Sequence, residues 1–570
     1  MNDIRRTILW VVFGFSMVLL WDQWQLYNGH KATFFPGPAK TAATANPQAP
    51  ASGVPSAVPA TNNVASPAQI TGATAQLAIN ANAVTAPRER IVVTTDVLKL
   101  TLDTEGGSLV RAEFLKHADM ADKSKNFVLL DESKERTYLA QTGLIAGAAG
   151  GVFPTHKSVM TVLPGERTLM EGSKELLIRF ESPEVGGVKL VKTFTLTRGS
   201  YAVAVKHDVV NVGAVAVSPQ LYLQLVRDGN KPLGESSFYS TFTGPAIYTD
   251  AKKYQKVEFS DIEKNKVDIE KTAENGYAAM VQHYFASAWL LGDGIKREPF
   301  MRKVDTNLYA VGLITSLDNI APGTSKSVEA KFFAGPQEEK VLEAMAPGLE
   351  LVKDYGWLTI LAKPLYWLLD KIHSFIGNWG WSIMALVLLL KAAFYWLNAK
   401  AYASMAKMKA VNPKITEMRE RLKDNPQQMQ QEMMRIYREE KVNPMGGCFP
   451  IMIQIPVFIA LYWVLLSSVE MRNAPWVMWI HDLSSPDPFY ILPIVMTLTT
   501  VLQTALNPAP PDPLQAKMMW FMPLAFSVMF FFFPAGLVMY WITNNVLSIA
   551  QQWVINTRMG VPPQFNLPKF

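Results

Sequence analysis

Cysteine is almost absent from this sequence, since Cys448 is the only one in 570 residues. A lone cysteine excludes an internal disulfide and a metal site built from several thiolates. Charge is also scarce: Asp, Glu, Lys and Arg make up 18% of the chain, against about 25% in an average soluble protein. The formal net charge of +6 is small for this length and does not indicate nucleic-acid binding. A slight basic excess fits a protein whose cytoplasmic side faces anionic lipid.

Long uncharged runs account for the low charge, and most lie in the last third of the chain. A membrane-spanning helix needs about 20 mostly apolar residues. The first run, 8–21, follows Arg5 and Arg6 and is short enough for a cleaved signal. We favour a retained anchor, because small residues typical of a cleavage site come only around residue 43. The run 518–557 is too long for one helix, and Phe533-Pro534-Ala535-Gly536 is a turn signal that divides it.

The sequence therefore predicts a polytopic α-helical membrane protein with six transmembrane helices, the last five forming one core, and a large periplasmic antiparallel β-sandwich. The predicted parts are an N-terminal transmembrane anchor (1–28), a disordered Ala/Pro-rich periplasmic tether (29–88), the β-sandwich (89–345), an interfacial amphipathic helix (357–377), a second transmembrane helix (379–398), a cytoplasmic helical hairpin (399–443), a third transmembrane helix (446–469), a periplasmic loop (470–488), fourth, fifth and sixth transmembrane helices (489–507, 517–533 and 536–557) and a cytoplasmic tail (558–570).

Lysine and arginine set the predicted orientation, because loops rich in these residues stay in the cytoplasm. The segment 399–443 holds ten of them, whereas the loop 470–488 holds only Arg472. The segment 399–443 is therefore predicted to be cytoplasmic and 470–488 periplasmic. With six spans, both termini lie in the cytoplasm, in agreement with Arg5 and Arg6.

The β-sandwich is predicted from alternating apolar residues, as in Leu98, Leu100 and Leu102. Further strand-like runs cover residues 174–181, 189–212 with a break at 198–200, 220–227, 281–290, 308–314 and 328–334. Among the histidines in strand patterns are His207, next to Asp208, and His283, but no catalytic or metal-ligand spacing accompanies them. We favour a structural or partner-docking domain, with a sugar-binding or enzymatic sandwich as the alternative.

The segment 357–377 has apolar residues at helical spacing together with Trp367 and Tyr366, and Pro364 suits the first helical position. Such a helix lies in the membrane interface, or else packs on the β domain. The cytoplasmic segment reads as two helices that break at Asp424-Asn425-Pro426. Both helices carry methionines, namely Met405, Met408, Met418, Met429 and Met433. These adaptable side chains either contact substrates or pack the two helices together.

Lys391 is the one charge within the second span. A lysine near a helix centre costs about 2.5–3.5 kcal/mol to insert. It either snorkels to the cytoplasmic surface or faces a wet cavity. Spans two to six contain no acidic residue, which argues against a proton relay or cation carrier. The chain also lacks a phosphate-binding Gly-rich loop, so no motif for ATP-driven work is present.

Three collinear motifs carry a resemblance to a known family. They are Asn443-Pro444-Met445-Gly446-Gly447-Cys448-Phe449-Pro450 leading into Ile453-Gln454-Ile455-Pro456, then Pro475-Trp476 through Trp479-Ile480-His481-Asp482-Leu483 and Asp487-Pro488, then Phe533-Pro534-Ala535-Gly536 before Tyr540. Over roughly 355–557 the chain resembles the YidC family of bacterial membrane protein insertases. The anchor, tether and β domain resemble the Gram-negative version.

The resemblance implies a membrane protein insertase and chaperone, not an enzyme, that needs no cofactor or metal. It implies a hydrophilic groove closed to the periplasm, in which a basic residue draws in the substrate's short exported tail. The candidate groove residues are Lys391, Gln454, Tyr540, Trp541 and Asn544. The substrate's apolar helix slides along spans three and five, with candidate contacts Phe449, Ile453, Pro456, Met522 and Phe526, into a locally thinned bilayer.

Implied partners are nascent membrane proteins, the Sec translocon with its accessory subunits, the lipid bilayer and, weakly and transiently, the ribosome, without nucleic-acid specificity. The sequence departs from the family pattern at Lys391, where arginine is usual, at Val387 in place of a groove threonine, and at Trp541 in place of a tyrosine. The short tail after Arg558 puts docking of the ribosome through a basic tail in doubt.

Two other classes of function remain as alternatives. A transporter or channel is expected to show inverted repeats and broken helices in matching halves, which the sequence does not display. A membrane-anchored periplasmic enzyme requires a polar site in the β domain, and removing residues 90–340 then abolishes its function. An insertase is expected to tolerate that deletion.

Overall fold

The computed structural model describes residue 55, residues 88–120, 122–147, 150–232, 241–422, 425–440, 449–507 and 513–558, and residues 560 and 565. The predicted first span and nearly all of the predicted tether lie outside the described residues. The described chain divides into two compact units, with the boundary between Lys353 and Asp354.

The unit before Asp354 is built from seventeen described strands in two sheets. The strands are β1 Arg90–Thr94, β2 Leu98–Asp103, β3 Ser108–Ala118, β4 Asn126–Glu132, β5 Thr137–Ala146, β6 Thr161–Val162, β7 Glu175–Glu181, β8 Val188–Thr197, β9 Ala202–Asn211, β10 Pro219–Asp228, β11 Gly244–Thr249, β12 Lys253–Lys256, β13 Tyr277–Gln282, β14 Phe285–Leu291, β15 Glu298–Asp305, β16 Leu308–Ser316 and β17 Ser325–Pro336. One sheet has the order β1-β2-β3-β4-β5-β10-β16-β15 and the other β12-β11-β13-β14-β17-β9-β8-β7-β6.

The two sheets pack face to face, and all of their described strand pairs are antiparallel. Strand β7 shows the expected alternation, with Leu176, Ile178 and Phe180 buried and the residues between them exposed. Hydrogen bonds join the sheets where Tyr138 Oη donates to Met280 O over 3.2 Å and Trp289 Nε1 donates to Gln224 O over 3.1 Å. The predicted antiparallel β domain is confirmed.

The prediction of one strand over 281–290 is wrong. Strand β13 ends at Gln282 and β14 begins at Phe285, and these two residues pair across a turn made by His283 and Tyr284. Every residue of both strands is buried, so no alternation separates them, and the turn contains no Gly, Pro, Asn or Asp to mark it in the sequence.

Ten described helices complete the chain, and the last eight belong to the unit after Lys353. They are α1 Phe259–Glu263, α2 Glu339–Met345, α3 Thr359–Ile376, α4 Trp379–Ala393, α5 Tyr395–Arg421, α6 Pro426–Glu439, α7 Phe449–Ser467, α8 Ile491–Leu506, α9 Pro513–Met529 and α10 Ala535–Arg558. Gly377 ends α3 in the left-handed conformation (φ 72°). The Asn378 side chain then caps α4 by accepting a hydrogen bond from Trp381 N.

Several helix boundaries differ from those predicted; α9, for example, begins at Pro513, four residues before the predicted start of the fifth span. Helix α3 begins at Thr359, so Pro364 lies inside it and not at its first position. Helix α4 ends at Ala393, five residues before the predicted end of the second span, and α5 begins at Tyr395. In the described part of the chain, no single helix is both long and apolar enough to cross a membrane, whereas α4 and α5 pass that test together as a pair bent by 68°.

Candidate functional site: a polar pocket in the helical bundle

Lys391 lies in the last turn of α4 and is 9% exposed. Its Nζ donates a hydrogen bond to Ser548 Oγ on α10 over 2.8 Å. The Ser548 hydroxyl donates its own proton to Asn544 O over 2.7 Å, so its oxygen is free to accept from Lys391. Within the described residues, no carboxylate forms a salt bridge with Lys391, and the group that accepts its hydrogen bond is a neutral hydroxyl.

Lys391 lines a cavity of about 20 Å³, which holds about one water molecule. The amide of Gln454 on α7 donates to Asn544 Oδ1 over 3.3 Å at this cavity. The full lining is Val387, Leu390, Lys391, Phe394, Asn398, Gln454, Val457, Tyr540 and Asn544. The structure thus brings four of the five predicted groove residues together from α4, α7 and α10, in a pocket narrower than an open groove.

Trp541 is the predicted groove residue that does not line this cavity. Its ring packs instead on Phe458 and Phe530, with centroids 4.3 Å and 4.8 Å away. Successive helix residues point about 100° apart, so the neighbour of Tyr540 faces a different side of α10. Trp541 therefore belongs to the apolar packing of the bundle.

Ser548 and Asn398 belong to the site but were not among the predicted site residues. Ser548 follows Tyr540 and Asn544 at steps of four residues, a spacing that places all three on one helix face. Asn398 donates to Gln551 Oε1 on α10 over 3.3 Å, next to the pocket. The four-residue spacing was the signal for Ser548, whereas the bend that positions Asn398 has no signal in the sequence.

The predicted slide residues lie on α7 and α9. Met522 and Phe526 on α9 are 45% and 53% exposed, and Pro456 is half-buried inside α7. Phe449 begins α7, but its side chain and that of Ile453 lie outside the described residues. Other apolar side chains of α9 are exposed too, including Phe521, Leu524 and Val528.

The methionines of the predicted hairpin mostly pack its two helices together. Val411, Ile415 and Met418 are buried, and Met408, Met429 and Met433 pack on them with Leu422, Ile436 and Tyr437. Met405 lies outside this cluster and is half-buried. Asn425 caps α6 by accepting from Gln428 N, and Pro426 occupies the first helical turn. The described contacts favour the packing alternative for four of the five methionines.

Helix α3 packs on the bundle through Ala362, Tyr366 and Leu369, which join a core shared with α4, α7 and α10. Its other face is apolar and open: Ile360, Trp367 and Phe375 are 87%, 60% and 89% exposed. Helix α3 therefore has an apolar face on each side.

The loop between α7 and α8 is fixed by buried polar contacts. Asp487, 1% exposed, accepts hydrogen bonds from Trp479 Nε1, Phe489 N and Leu492 N at 2.7–3.0 Å. The start of α10 docks on this loop, since Gly536 N donates to Leu483 O over 2.9 Å. The loop therefore forms a fixed cover on the bundle.

A buried polar cluster in the β unit does not form a catalytic site. His207 Nε2 lies 2.9 Å from Thr142 Oγ1 inside the sandwich, and burial lowers the His207 pKa to about 3. The neighbouring Asp208 faces outward and pairs with Lys206. His207 and Asp208 thus lie on opposite faces of β9, and the described residues contain no group of three or more His, Cys, Asp or Glu fit to hold a metal ion.

Comparison with known proteins connects both units to one family. Residues 90–368 match the family described as YidC periplasmic domain, and residues 371–561 match the family described as 60Kd inner membrane protein. The membrane protein insertase YidC of Ralstonia nicotianae is 55% identical over 560 residues, which cover 98% of each chain. That of Cupriavidus taiwanensis is 56% identical over 559 residues, with the same coverage.

A solved structure described as an active YidC insertase with its first transmembrane domain resolved is also similar. It covers 82% of this chain and 92% of its own, at 19% identity and a TM-score of 0.37. The relatives at 55% and 56% identity span almost the whole length of the chain. The chain therefore belongs to the YidC family of membrane protein insertases.

Proposed function

We propose that this chain inserts proteins into the bacterial inner membrane and that the Lys391 pocket attracts the acidic exported tail of the substrate. The observation that carries this proposal is a buried ammonium group whose hydrogen-bond partner is the neutral Ser548 hydroxyl, in three helices whose only other charge is Arg558 at the end of α10. A tail carboxylate that reaches this pocket supplies the missing counter-charge. Two unit charges about 4 Å apart attract by about 4 kcal/mol at an effective dielectric constant of 20.

The apolar part of the substrate is proposed to leave along α7 and α9. Exposed apolar side chains such as Met522 and Phe526 offer it a surface continuous with lipid. Helices α4, α8 and α9 have 15, 16 and 17 residues. At about 1.5 Å per residue they are shorter than a hydrocarbon core of about 30 Å. This mismatch supports local thinning of the bilayer, which shortens the path of the exported tail.

The remaining parts of the proposal concern topology and partners. We propose six spans, cytoplasmic termini and a periplasmic β domain, with the loop fixed by Asp487 covering the outer end of the pocket. The hairpin of α5 and α6 meets the substrate first. The bias of Lys and Arg toward 399–443 supports the proposed orientation in the membrane. The proposed partners are the Sec translocon and, through weak contact, the ribosome.

The deciding experiment compares Lys391→Leu and Lys391→Arg in proteoliposomes, with a small substrate that carries an acidic exported tail. Lys391→Leu is expected to slow insertion by about tenfold, equivalent to ~1.4 kcal/mol. Lys391→Arg keeps the charge and is expected to stay within about twofold of the wild type, because it preserves the attraction. Insertion is measured as protection of the exported tail from external protease.

Two controls make this test specific. Lys371→Leu removes an exposed lysine of α3 and is expected to leave insertion unchanged. A substrate whose acidic tail residues are replaced by Gln is expected to be inserted equally well by the wild type and by the Lys391→Leu variant, since coupled groups are non-additive. An equal effect of Lys391→Leu on both substrates, at equal protein levels, contradicts the charge mechanism.

A further inference from the structure

A stripe of lysines runs along one face of α5. Lys400, Lys407 and Lys414 are spaced by seven residues, which is two helical turns and places them on one side. All three are exposed, whereas Asn398 and Ala401 on the other side of the helix are buried. We call Trp396, Lys400, Lys407 and Lys414 the basic stripe.

The basic stripe has little counter-charge of its own. Residues 395–416 contain no acidic residue. Lys414 pairs with Glu440 over the hairpin. Neither Lys400 nor Lys407 forms a salt bridge within the part of the chain that is described. Two positive charges therefore remain available to an external anion.

The start of the stripe is aromatic and lies at a bend. Tyr395 and Trp396 are 44% and 67% exposed, and the Lys400 Nζ lies 3.6 Å from the centroid of the Trp396 ring. Exposed Trp and Tyr beside lysine are typical of the level where lipid headgroups meet hydrocarbon. At this point the chain turns by 68° from α4 into α5.

We propose that the basic stripe binds anionic phospholipid headgroups of the cytoplasmic leaflet and holds α5 along the membrane surface. The proposal rests on α4 crossing the membrane, as proposed above. A bend of 68° from a helix near the membrane normal directs α5 close to the membrane plane. The Trp396 ring then lies at the headgroup level, and Lys400 and Lys407 face the lipid phosphates. The aromatic start of the stripe favours lipid over RNA as the partner.

The test uses the full chain in nanodiscs, with Cys448→Ser and a single fluorophore on Ala410→Cys, an exposed position between Lys407 and Lys414. Quenching by a headgroup-labelled lipid is compared in phosphatidylcholine alone and with phosphatidylglycerol added. The anionic lipid is expected to increase quenching. Lys400→Gln with Lys407→Gln is expected to reduce this increase at least about fivefold, because each lysine near an anionic surface strengthens attachment by roughly that factor.

The matched control is Arg435→Gln with Arg438→Gln, which removes two exposed charges from α6 and is expected to preserve the quenching. Equal quenching in both lipids, or no effect of the lysine pair, overturns the proposal. Loss of ribosome binding by the lysine pair with unchanged lipid quenching also overturns it and identifies RNA as the partner. The readout needs no insertion, so Lys391→Leu is expected to keep the quenching even where insertion fails.

Discussion

Lys192 is a second buried lysine, placed in the β-sandwich without a carboxylate beside it. Its side chain is fully buried, and Nζ donates to Gly106 O over 2.6 Å and to Thr142 O over 2.7 Å. Burial lowers the Lys192 pKa to about 7 from its ordinary value of 10.5. These carbonyls accept hydrogen bonds from the Lys192 amine in either protonation state. The charged form also loses its hydration on burial, and this loss lowers the pKa.

This pKa predicts a pH-dependent stability of the β unit. Between pH 7 and 10.5 the unfolded chain binds more protons at Lys192 than the folded chain, so stability rises with pH over this window, by at most about 1.4 kcal/mol per unit. Lys192→Met is expected to flatten the rise. The measurement is urea unfolding of residues 88–353 at several pH values, followed by the fluorescence of Trp289, the only tryptophan in that segment.

The control for this prediction is Lys189→Met, which removes a half-buried lysine of the same strand that pairs with Glu181, and is expected to keep the rise. Burial lowers the pKa values of His156 and His207 to about 3. These residues therefore change the stability only below about pH 6.5 and do not contribute to the rise between pH 7 and 10.5. An unchanged slope in Lys192→Met shows that Lys192 is not the titrating group.

At individual positions, the sequence identifies candidate site residues better than it predicts the direction in which their side chains point. Lys391 and the amides Gln454 and Asn544 stand out because polar groups are rare in apolar runs. Trp541 was assigned to the groove by resemblance, but its direction depends on the rotation of α10 about its axis. That rotation is fixed by packing between Asn545 and Thr500 of α8, joined over 3.0 Å, and no local pattern reveals it.

Among the elements, the loop between α7 and α8 is held in its conformation by hydrogen bonds to the Asp487 carboxylate. Asp487→Ala leaves the amides of Phe489 and Leu492 and the Trp479 indole without their acceptor, at a cost of about 1–3 kcal/mol. The first turn of α8 is expected to open more often. Hydrogen exchange at Phe489 and Leu492 should accelerate by roughly tenfold, as measured by mass spectrometry.

Glu417→Ala, which removes an exposed carboxylate from α5, serves as the control and is expected to leave exchange in this loop unchanged. Unchanged exchange in Asp487→Ala means that the apolar packing of Trp476 on Gly380 holds the loop without the carboxylate.

Element boundaries were predictable where a turn or cap residue marks them and not elsewhere. The break at Asn425-Pro426 was predicted because Asn caps and Pro begins a helix. The end of α4 was not, since Phe394 and its neighbours continue the apolar run through the bend. Likewise, β13 and β14 merged into one predicted strand, because burial on both faces removes the alternation that separates strands.

At the scale of the whole molecule, the chain separates into two compact units. The β unit has its own core in two sheets, and buried polar groups such as the Lys192 ammonium and His207 Nε2 are hydrogen-bonded inside it. All residues that line the Lys391 pocket belong to the helical unit after Lys353. The boundary was predictable, because alternation of period two gives way to apolar runs near residue 350, whereas the narrowness of the pocket depends on helix packing.

This division predicts that the β unit is dispensable for the insertion step. Deleting residues 90–352 removes both sheets together with α2, which packs on the nine-stranded sheet through Leu342, and leaves the pocket residues in place. Insertion of a small Lys391-dependent substrate is expected to stay within about twofold of the full chain, a difference below 1 kcal/mol. The same protease-protection assay measures it, and Lys391→Leu in the deleted chain must again slow insertion by about tenfold if the mechanism is unchanged. Complete loss of insertion by a deleted chain that still reaches the membrane in normal amount assigns an essential step to the β unit, and the separation of tasks is then wrong.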